Sequence, residues 1–332
     1  TAQALLHWVQ TELGHQDALD SFFQPENSNI HTKALASPTI LHILSGNTPH
    51  AGLQSLLRGL LIGSKNIVKL PSSGLPIVEK FISSLPSELS QMVETISHIP
   101  DNLFHSAQTV IAIGSDDTML AIQARIQPHQ RFIPHGHKLS IGLVESPTKE
   151  AATLAAKDIC SFNQQGCLSL HTVYVKEDPR VFAELLAEAM AEFENLSPRG
   201  EITISESGAI TNLREITRFK ATNAPQNTAI WHSSGNTAWT VIYQDSHKLT
   251  PSPLNRVAYV QPAPADWDDL GNEKNYLSTL AIHPRESLLD EASALDFIPR
   301  ICTLGESQQP SLLWHHDGFA TLASLVTWRD IH

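Results

Sequence analysis

Cysteine is scarce in this chain and never paired. Its 332 residues include three, Cys160, Cys167 and Cys302. None stands in a Cys-X-X-Cys spacing, so neither a structural zinc site nor any other metal is expected. A sparse, odd set suits a reducing compartment, and the expected location is cytoplasmic. No run of eighteen apolar residues occurs, so no membrane span is expected. Positive charge is also short: 22 Lys and Arg against 34 Asp and Glu leave a formal net charge of -12. That balance argues against nonspecific binding to nucleic acid or anionic lipid, yet leaves room for a local basic pocket that takes a phosphate. There is no internal repeat and no low-complexity segment. The first residues lack a signal-peptide pattern, and the start at Thr1 is compatible with a processed or trimmed terminus.

What is present reads as a two-domain α/β enzyme. The length is too great for one compact core and leaves space for a small oligomerisation element. A hydrophobic share of 41% and a charged share of 17% are ordinary for a soluble enzyme. The spacing of Leu5, Trp8, Val9 and Leu13 predicts a helix over 1–23. Buried strands are predicted at 39–44, 66–70, 109–113, 140–144 and 170–175, alternating with helices at 53–62, 76–85, 117–125, 148–161 and 179–193. This alternation predicts a parallel sheet with crossover helices. Further strands are predicted at 229–232, 240–243 and 256–260. The apolar tail 319–328 fits either strand or helix.

Cys167 follows the polar stretch Asn163-Gln164-Gln165-Gly166 and precedes a strand. A glycine there allows a sharp turn that brings backbone N–H groups near the sulfur, where a thiolate can attack a carbonyl. A buried structural cysteine is the other reading of that residue taken alone. Six segments, in order, then carry a resemblance: SGNTP at 45–49, NIVKLPSS at 66–73, IGSDDT at 113–118, HGHKLSIGLV at 135–144, FNQQGC at 162–167 and WHHDG at 314–318. In this order the chain resembles the aldehyde dehydrogenase superfamily, and within it the LuxC-type long-chain acyl-CoA reductases of bacterial luminescence systems.

The resemblance implies a Rossmann-like cofactor domain over 1–138 and an α/β catalytic domain with the nucleophilic cysteine over 139–300. It further implies a C-terminal element over 301–332 that returns to the cofactor domain or an oligomer interface, in a homo-oligomer. Cys167 matches the family nucleophile. Asn47 matches the amide that donates to the oxyanion, whereas read alone it is a turn-former beside Pro49. Lys69 matches the lysine that contacts the adenosine ribose. Ser72 and Ser73 follow it where NAD-preferring relatives carry a glutamate, so the expected cofactor is NADPH. Gly114 and Ser115 match the turn facing the pyrophosphate, at a helix N-terminus but without a GxGxxG fingerprint. Asp116 and Asp117 cap that helix and are poor neighbours for phosphate.

The pattern departs from hydrolytic relatives at Pro134-His135-Gly136-His137-Lys138, where they carry the glutamate that activates water. Its absence points to exchange with CoA rather than hydrolysis. His135 and His137 flank the slot, either as proton donors or as loop histidines bonded to backbone. His315 and His316 are adjacent and point to opposite faces on an extended chain, a poor ligand pair. The implied reaction is NADPH-dependent reduction of an acyl-CoA, or another acyl-carrier thioester, to an aldehyde through a cysteine thioester. Its rivals are an aldehyde dehydrogenase and a non-catalytic acyl-binding scaffold.

Overall fold

The segment Thr39–Ile43 is buried along almost its whole length. Burial on both faces calls for helices on either side and favours a parallel sheet. The structure, a computed structural model, describes residues 1–46 and 49–332, so Asn47 and Thr48 lie outside the described residues. The chain forms two compact units, Thr1–His137 with Ser311–His332, and Lys138–Pro310. Residues 301–310 group with the second unit.

In the first unit the strands are β1 (His31–Ala36), β2 (Thr39–Ile43), β3 (Lys65–Lys69), β4 (Val93–Ile96), β5 (Thr109–Ile113) and β6 (Arg131–His135). Five of them form a parallel sheet in the order β4-β3-β2-β5-β6. The order reverses at β2: the chain runs outward to β4, then crosses back to β5. Such a reversal opens a crevice outside the carboxyl ends of the two central strands, the usual ligand position in open α/β sheets. The expected Rossmann-like α/β fold is therefore present.

The C-terminal strand Val326–Ile331 pairs antiparallel with β1, placing His31 opposite Ile331 and Ala36 opposite Val326. Glu12 anchors the same segment. Its carboxylate accepts from Trp8 Nε1 at 2.8 Å and from the backbone N–H groups of Leu322 and Ala323. These bonds hold the Glu12 carboxyl below its ordinary range despite the opposing effect of burial.

The second unit holds β7 (Leu139–Val144), β8 (Leu170–Val175), β9 (Thr228–His232), β10 (Thr240–Gln244), β11 (Val257–Pro262), β12 (Leu277–His283) and β13 (Arg300–Thr303). They form a seven-stranded sheet ordered β13-β12-β7-β8-β11-β10-β9. All neighbours are parallel except β9, which runs antiparallel to β10 at the edge. The central β7 and β8 are buried at every position. Ala151, Ala152, Ala155 and Ala156 of helix Lys149–Cys160 join Phe182, Leu186 and Met190 of helix Pro179–Leu196 in one core. Small side chains on the first helix let the second approach closely.

Two expectations need correction. The first helix spans Ala2–Leu13 and stops at Gly14, whose φ of 82° ends it in the left-handed region. A twenty-residue helix, Ile204–Asn223, was not anticipated. Its buried positions are few, Ile210, Arg214 and Thr217, so its apolar periodicity is weak. Its start nevertheless carries a Thr203/Glu206 capping box.

Inside the first unit, His42 on β2 is fully buried. Its Nδ1 lies 2.7 Å from Ser55 Oγ and its Nε2 3.0 Å from Asn66 Oδ1. Burial pushes its pKa down from 6.5 to about 4. The folded value lies below the unfolded one, so this group contributes stability above pH 6.5 that is lost as pH falls through about 4. Fully expressed, the loss is about 3 kcal/mol. Urea unfolding of the starting chain and of His42→Gln, at pH 7 and at pH 4.5, should show a shallower acid loss in the variant. Equal losses would assign the acid sensitivity to other groups.

Candidate active site

Burial separates the three cysteines. Cys160 and Cys302 are buried, and Cys167 is only partly so. Desolvation pushes the thiols of Cys160 and Cys302 up to about 12. At neutral pH both stay protonated and inert. Cys167 lies on a turn between the helical segment Ser161–Gln164 and β8, where its carbonyl accepts from Ser140 Oγ at 2.7 Å.

The sharp bend before Cys167 does not come from Gly166, which has no positive φ. It comes from Phe162, Asn163 and Gln164, with φ of 52°, 53° and 62°. Three consecutive non-glycine residues in the left-handed region are costly, at roughly 1–2 kcal/mol each. A second such run, Leu254, Asn255 and Arg256, lies beside it, with φ of 67°, 57° and 65°. Side chains cross between the two. Gln164 Nε2 donates to Leu170 O at 2.8 Å and Val257 O at 2.9 Å. Its Oε1 accepts from Val257 N at 2.9 Å and Ser252 Oγ at 3.2 Å. Gln165 Nε2 donates to Asn255 Oδ1 at 2.9 Å, and Arg256 to Asn163 Oδ1 at 3.0 Å. Arg256 is itself buried and paired with Glu194. The nucleophile candidate therefore sits on a rigid, strained turn, the kind of backbone that concentrates at functional sites.

In the first unit, Lys69 ends β3, with its carbonyl accepting from Leu44 N at 3.1 Å. Ser72 is exposed just beyond it. A Cβ on Gly46 would meet Ser73 Oγ at 3.1 Å, so the turn after β2 lies against this segment. Gly114 follows β5, and Ser115 caps the helix Asp116–Gln123, its Oγ 3.4 Å from Thr118 N. Lys69, Ser72, Gly114 and Ser115 thus all stand at the carboxyl edge of the sheet, beside the reversal at β2. Asp116 is turned aside: its Oδ1 accepts from His137 N at 2.8 Å. A carboxylate missed in the sequence, Glu79, lies 3.9 Å from where a Cβ on Gly74 would stand. Asn47 lies outside the described residues.

A second cluster joins segments that were read separately. His135 Nδ1 lies 3.0 Å from Asp317 Oδ2, and His316 Nε2 3.7 Å from the same oxygen. His315 takes no part in this cluster. Asp317 reaches it through a turn with positive φ at Asp317 and Gly318, closed by a bridge between His316 and Phe319. The ligating atoms of His135, His316 and Asp317 lie within 4.8 Å of one another. The two rings, however, stack at 4.2 Å with 17° between their planes. Stacked rings set their in-plane lone pairs nearly parallel, while Asp317 links the two histidines through one carboxylate oxygen. Nearby, the buried Arg58 feels Glu12 and Asp317 as counter-charges, while burial draws its pKa down to about 10.

The family model described as acyl-CoA reductase (LuxC) matches residues 1–328. The chain belongs to that family. The expected family and the expected enzyme class, an oxidoreductase, both hold. A relative from Photobacterium leiognathi, named long-chain acyl-protein thioester reductase 2, is 27% identical across 98% of this chain and 70% of its own length. Among solved structures, the fold is similar to an NADP-dependent glyceraldehyde-3-phosphate dehydrogenase from Bacillus halodurans complexed with NADP. That likeness has a TM-score of 0.69 at 13% identity, over 99% of this chain and 77% of the other. It is also similar to a succinic semialdehyde dehydrogenase from Streptococcus pyogenes in complex with NADP+, with a TM-score of 0.70 at 12% identity over 99% and 85% of the two chains. Family and fold agree: an acyl-CoA reductase family member on an aldehyde dehydrogenase fold. No helix among the described residues is long and apolar enough to cross a membrane.

The burial pattern predicts thiol chemistry directly. Brief iodoacetamide treatment of the native chain at pH 8 should alkylate Cys167 alone, with Cys160 and Cys302 reacting only after unfolding. Peptide mass mapping reads the sites. Comparable native labelling of Cys160 would refute the burial argument.

Proposed function

We propose that this family member reduces an acyl thioester to the aldehyde, with Cys167 as the acylated nucleophile and NADPH as the reductant. The observation that carries the reading is that Cys167, alone of the three cysteines, is partly accessible and sits on a strained turn. The Cys167 thiolate adds to the thioester carbonyl, and the carrier thiolate leaves with the bonding pair. An acyl group remains on Cys167. A nicotinamide, when bound, supplies the hydride for the acyl carbon. Collapse of the resulting adduct then breaks the carbon–sulfur bond, freeing aldehyde and regenerating the Cys167 thiolate. Asn47 is the proposed side-chain oxyanion donor.

The residues at the β2/β5 edge fit a dinucleotide. Ser115 opens a helix whose N-terminus favours an anion. The Asp116 carboxylate is oriented by His137 N but keeps its charge, a cost to any phosphate bound there. Lys69 forms no ion pair among the described residues, and Ser72 beside it is exposed, so a 2′-phosphate meets a cation and a hydroxyl. The chain also lacks a carboxylate in its Pro134–Lys138 segment, which favours exchange of the acyl group with a thiol over hydrolysis.

Cys167→Ser should abolish both the acyl adduct seen by intact mass and thioester-dependent NADPH oxidation, whereas Cys160→Ser and Cys302→Ser should retain both. Near-normal turnover in Cys167→Ser would overturn the reading. Asn47→Ala should lower kcat roughly 10²–10³-fold with an unchanged melting temperature; an unchanged kcat would leave Asn47 as a turn residue only. Ser72→Glu should raise the KM for NADPH selectively, and better use of NADH than NADPH by the starting chain would contradict the cofactor assignment.

A further inference from the structure

The second unit carries a cationic cleft that the reaction above does not use. It has a volume of about 660 Å³ and is lined by Arg199, Thr203, Ser207, Arg214, Arg218 and His232 among others. Three guanidiniums and an imidazole meet here, in a chain of formal net charge -12. Glu215 is the one carboxylate in the lining, and it pairs with Arg218. Among the described residues neither Arg199 nor Arg214 forms an ion pair.

Hydrogen bonds to neutral groups fix these guanidiniums in place, with Glu194 and Glu206 acting on Arg199 as counter-charges. Arg214 donates to Thr240 Oγ1 at 2.9 Å, Asn236 O at 2.7 Å and Trp239 O at 2.8 Å. Arg199 donates to Thr237 O, to Thr237 Oγ1 at 3.1 Å and to Asn255 O at 3.3 Å. Its Nε is buried without an acceptor among the described residues. Carbonyl oxygens orient a guanidinium but leave its charge intact. The consequence is mutual repulsion: burial, then Arg218 and Arg199, draw the Arg214 pKa down to about 10. The nearby helix N-terminus is already closed by the Thr203/Glu206 capping box, so an anion here would be held by the cations and not by the helix dipole. A fixed, crowded set of arginines is the arrangement that suits a phosphate, which brings multiple charge and several acceptor oxygens.

The cleft is wired to the nucleophile within the same unit. Arg199 bonds the Asn255 carbonyl, Asn255 Oδ1 takes Gln165 Nε2, and Gln165 stands two positions before Cys167. We propose that this cleft binds the phosphate of the thiol carrier that delivers the acyl group to Cys167. The proposal rests on the thioester-reductase reading above. Coenzyme A and a protein-bound phosphopantetheine arm share this chemistry, a phosphate joined to pantetheine.

Arg218 is the residue to change, because its contacts are confined to Glu215 and His232 at the rim. Isothermal titration of the full chain and of Arg218→Glu would use three probes: desulfo-coenzyme A, 4′-phosphopantetheine and unphosphorylated pantetheine. Loss of one charge-assisted contact should weaken desulfo-coenzyme A about 10- to 100-fold. Pantetheine binding and NADPH affinity should not change, which separates this cleft from the cofactor site. Equal affinity for 4′-phosphopantetheine and desulfo-coenzyme A supports a carrier protein as the source, and a strong preference for the latter supports coenzyme A. An identical desulfo-coenzyme A affinity in Arg218→Glu, or no binding of either phosphorylated probe, overturns the proposal. Acyl labelling of Cys167 by a pantetheine thioester tests the underlying reading separately. Labelling with no effect of Arg218 sinks only the cleft. An effect of Arg218 with no labelling from any thioester sinks the reductase reading and leaves a phosphate site.

Discussion

Everything around the candidate nucleophile depends on one amide. Gln164 spends both N–H groups on the carbonyls of Leu170 and Val257, and both acceptor positions on Val257 N and Ser252 Oγ. It is fully buried, and all four of its hydrogen-bonding positions are satisfied. Those bonds tie the start of β8 to the start of β11 and hold two runs of left-handed backbone against each other. Neither run is stable on its own steric merits. Each persists because the other's side chains hold it, and the turn bearing Cys167 inherits that rigidity. Neither glutamate nor leucine can replace the amide, since the first lacks donors and the second removes every side-chain partner that Leu170 O, Val257 O and Val257 N have here.

The first unit solves a different problem, the placing of charge below the surface. Arg58 is buried, with Glu12 and Asp317 as its counter-charges, and Asp317 also engages His135 and His316. Two segments far apart in the chain, the first helix and the 311–332 segment, supply the carboxylates. The C-terminal segment is therefore an integral part of this unit's interior as well as the strand partner of β1.

The sequence made the parallel strands legible because both their faces are buried. Thr109–Ile113 and Leu170–Val175 were bounded correctly from their apolar runs. Edge and polar elements were not. β4 is only partly buried, and helix Ile204–Asn223 offers too few apolar positions to show a period. Order of motifs identified the family, whereas geometry around the motifs could not be read. Gly166 looked like the origin of the bend, but side-chain amides one to three residues earlier sustain it. His135 and Asp317 are 182 positions apart, beyond any local pattern. The arginine cleft was invisible for the same reason, since its cations are scattered through a polar helix and a loop.

The path of the chain bears on how the protein is made. The second unit is one uninterrupted stretch, Lys138–Pro310. The first unit is split around it, and β1 finds its strand partner only at Val326–Ile331. On the ribosome the inserted unit ends at Pro310, before the 311–332 segment of the flanking one is made. The earlier-made part must wait, with the β1 edge and the apolar surface meant for Leu322, Leu325 and Val326 uncovered. Synthesis thus leaves an interval in which the first unit is the aggregation-exposed half of the molecule, although its strands emerge first.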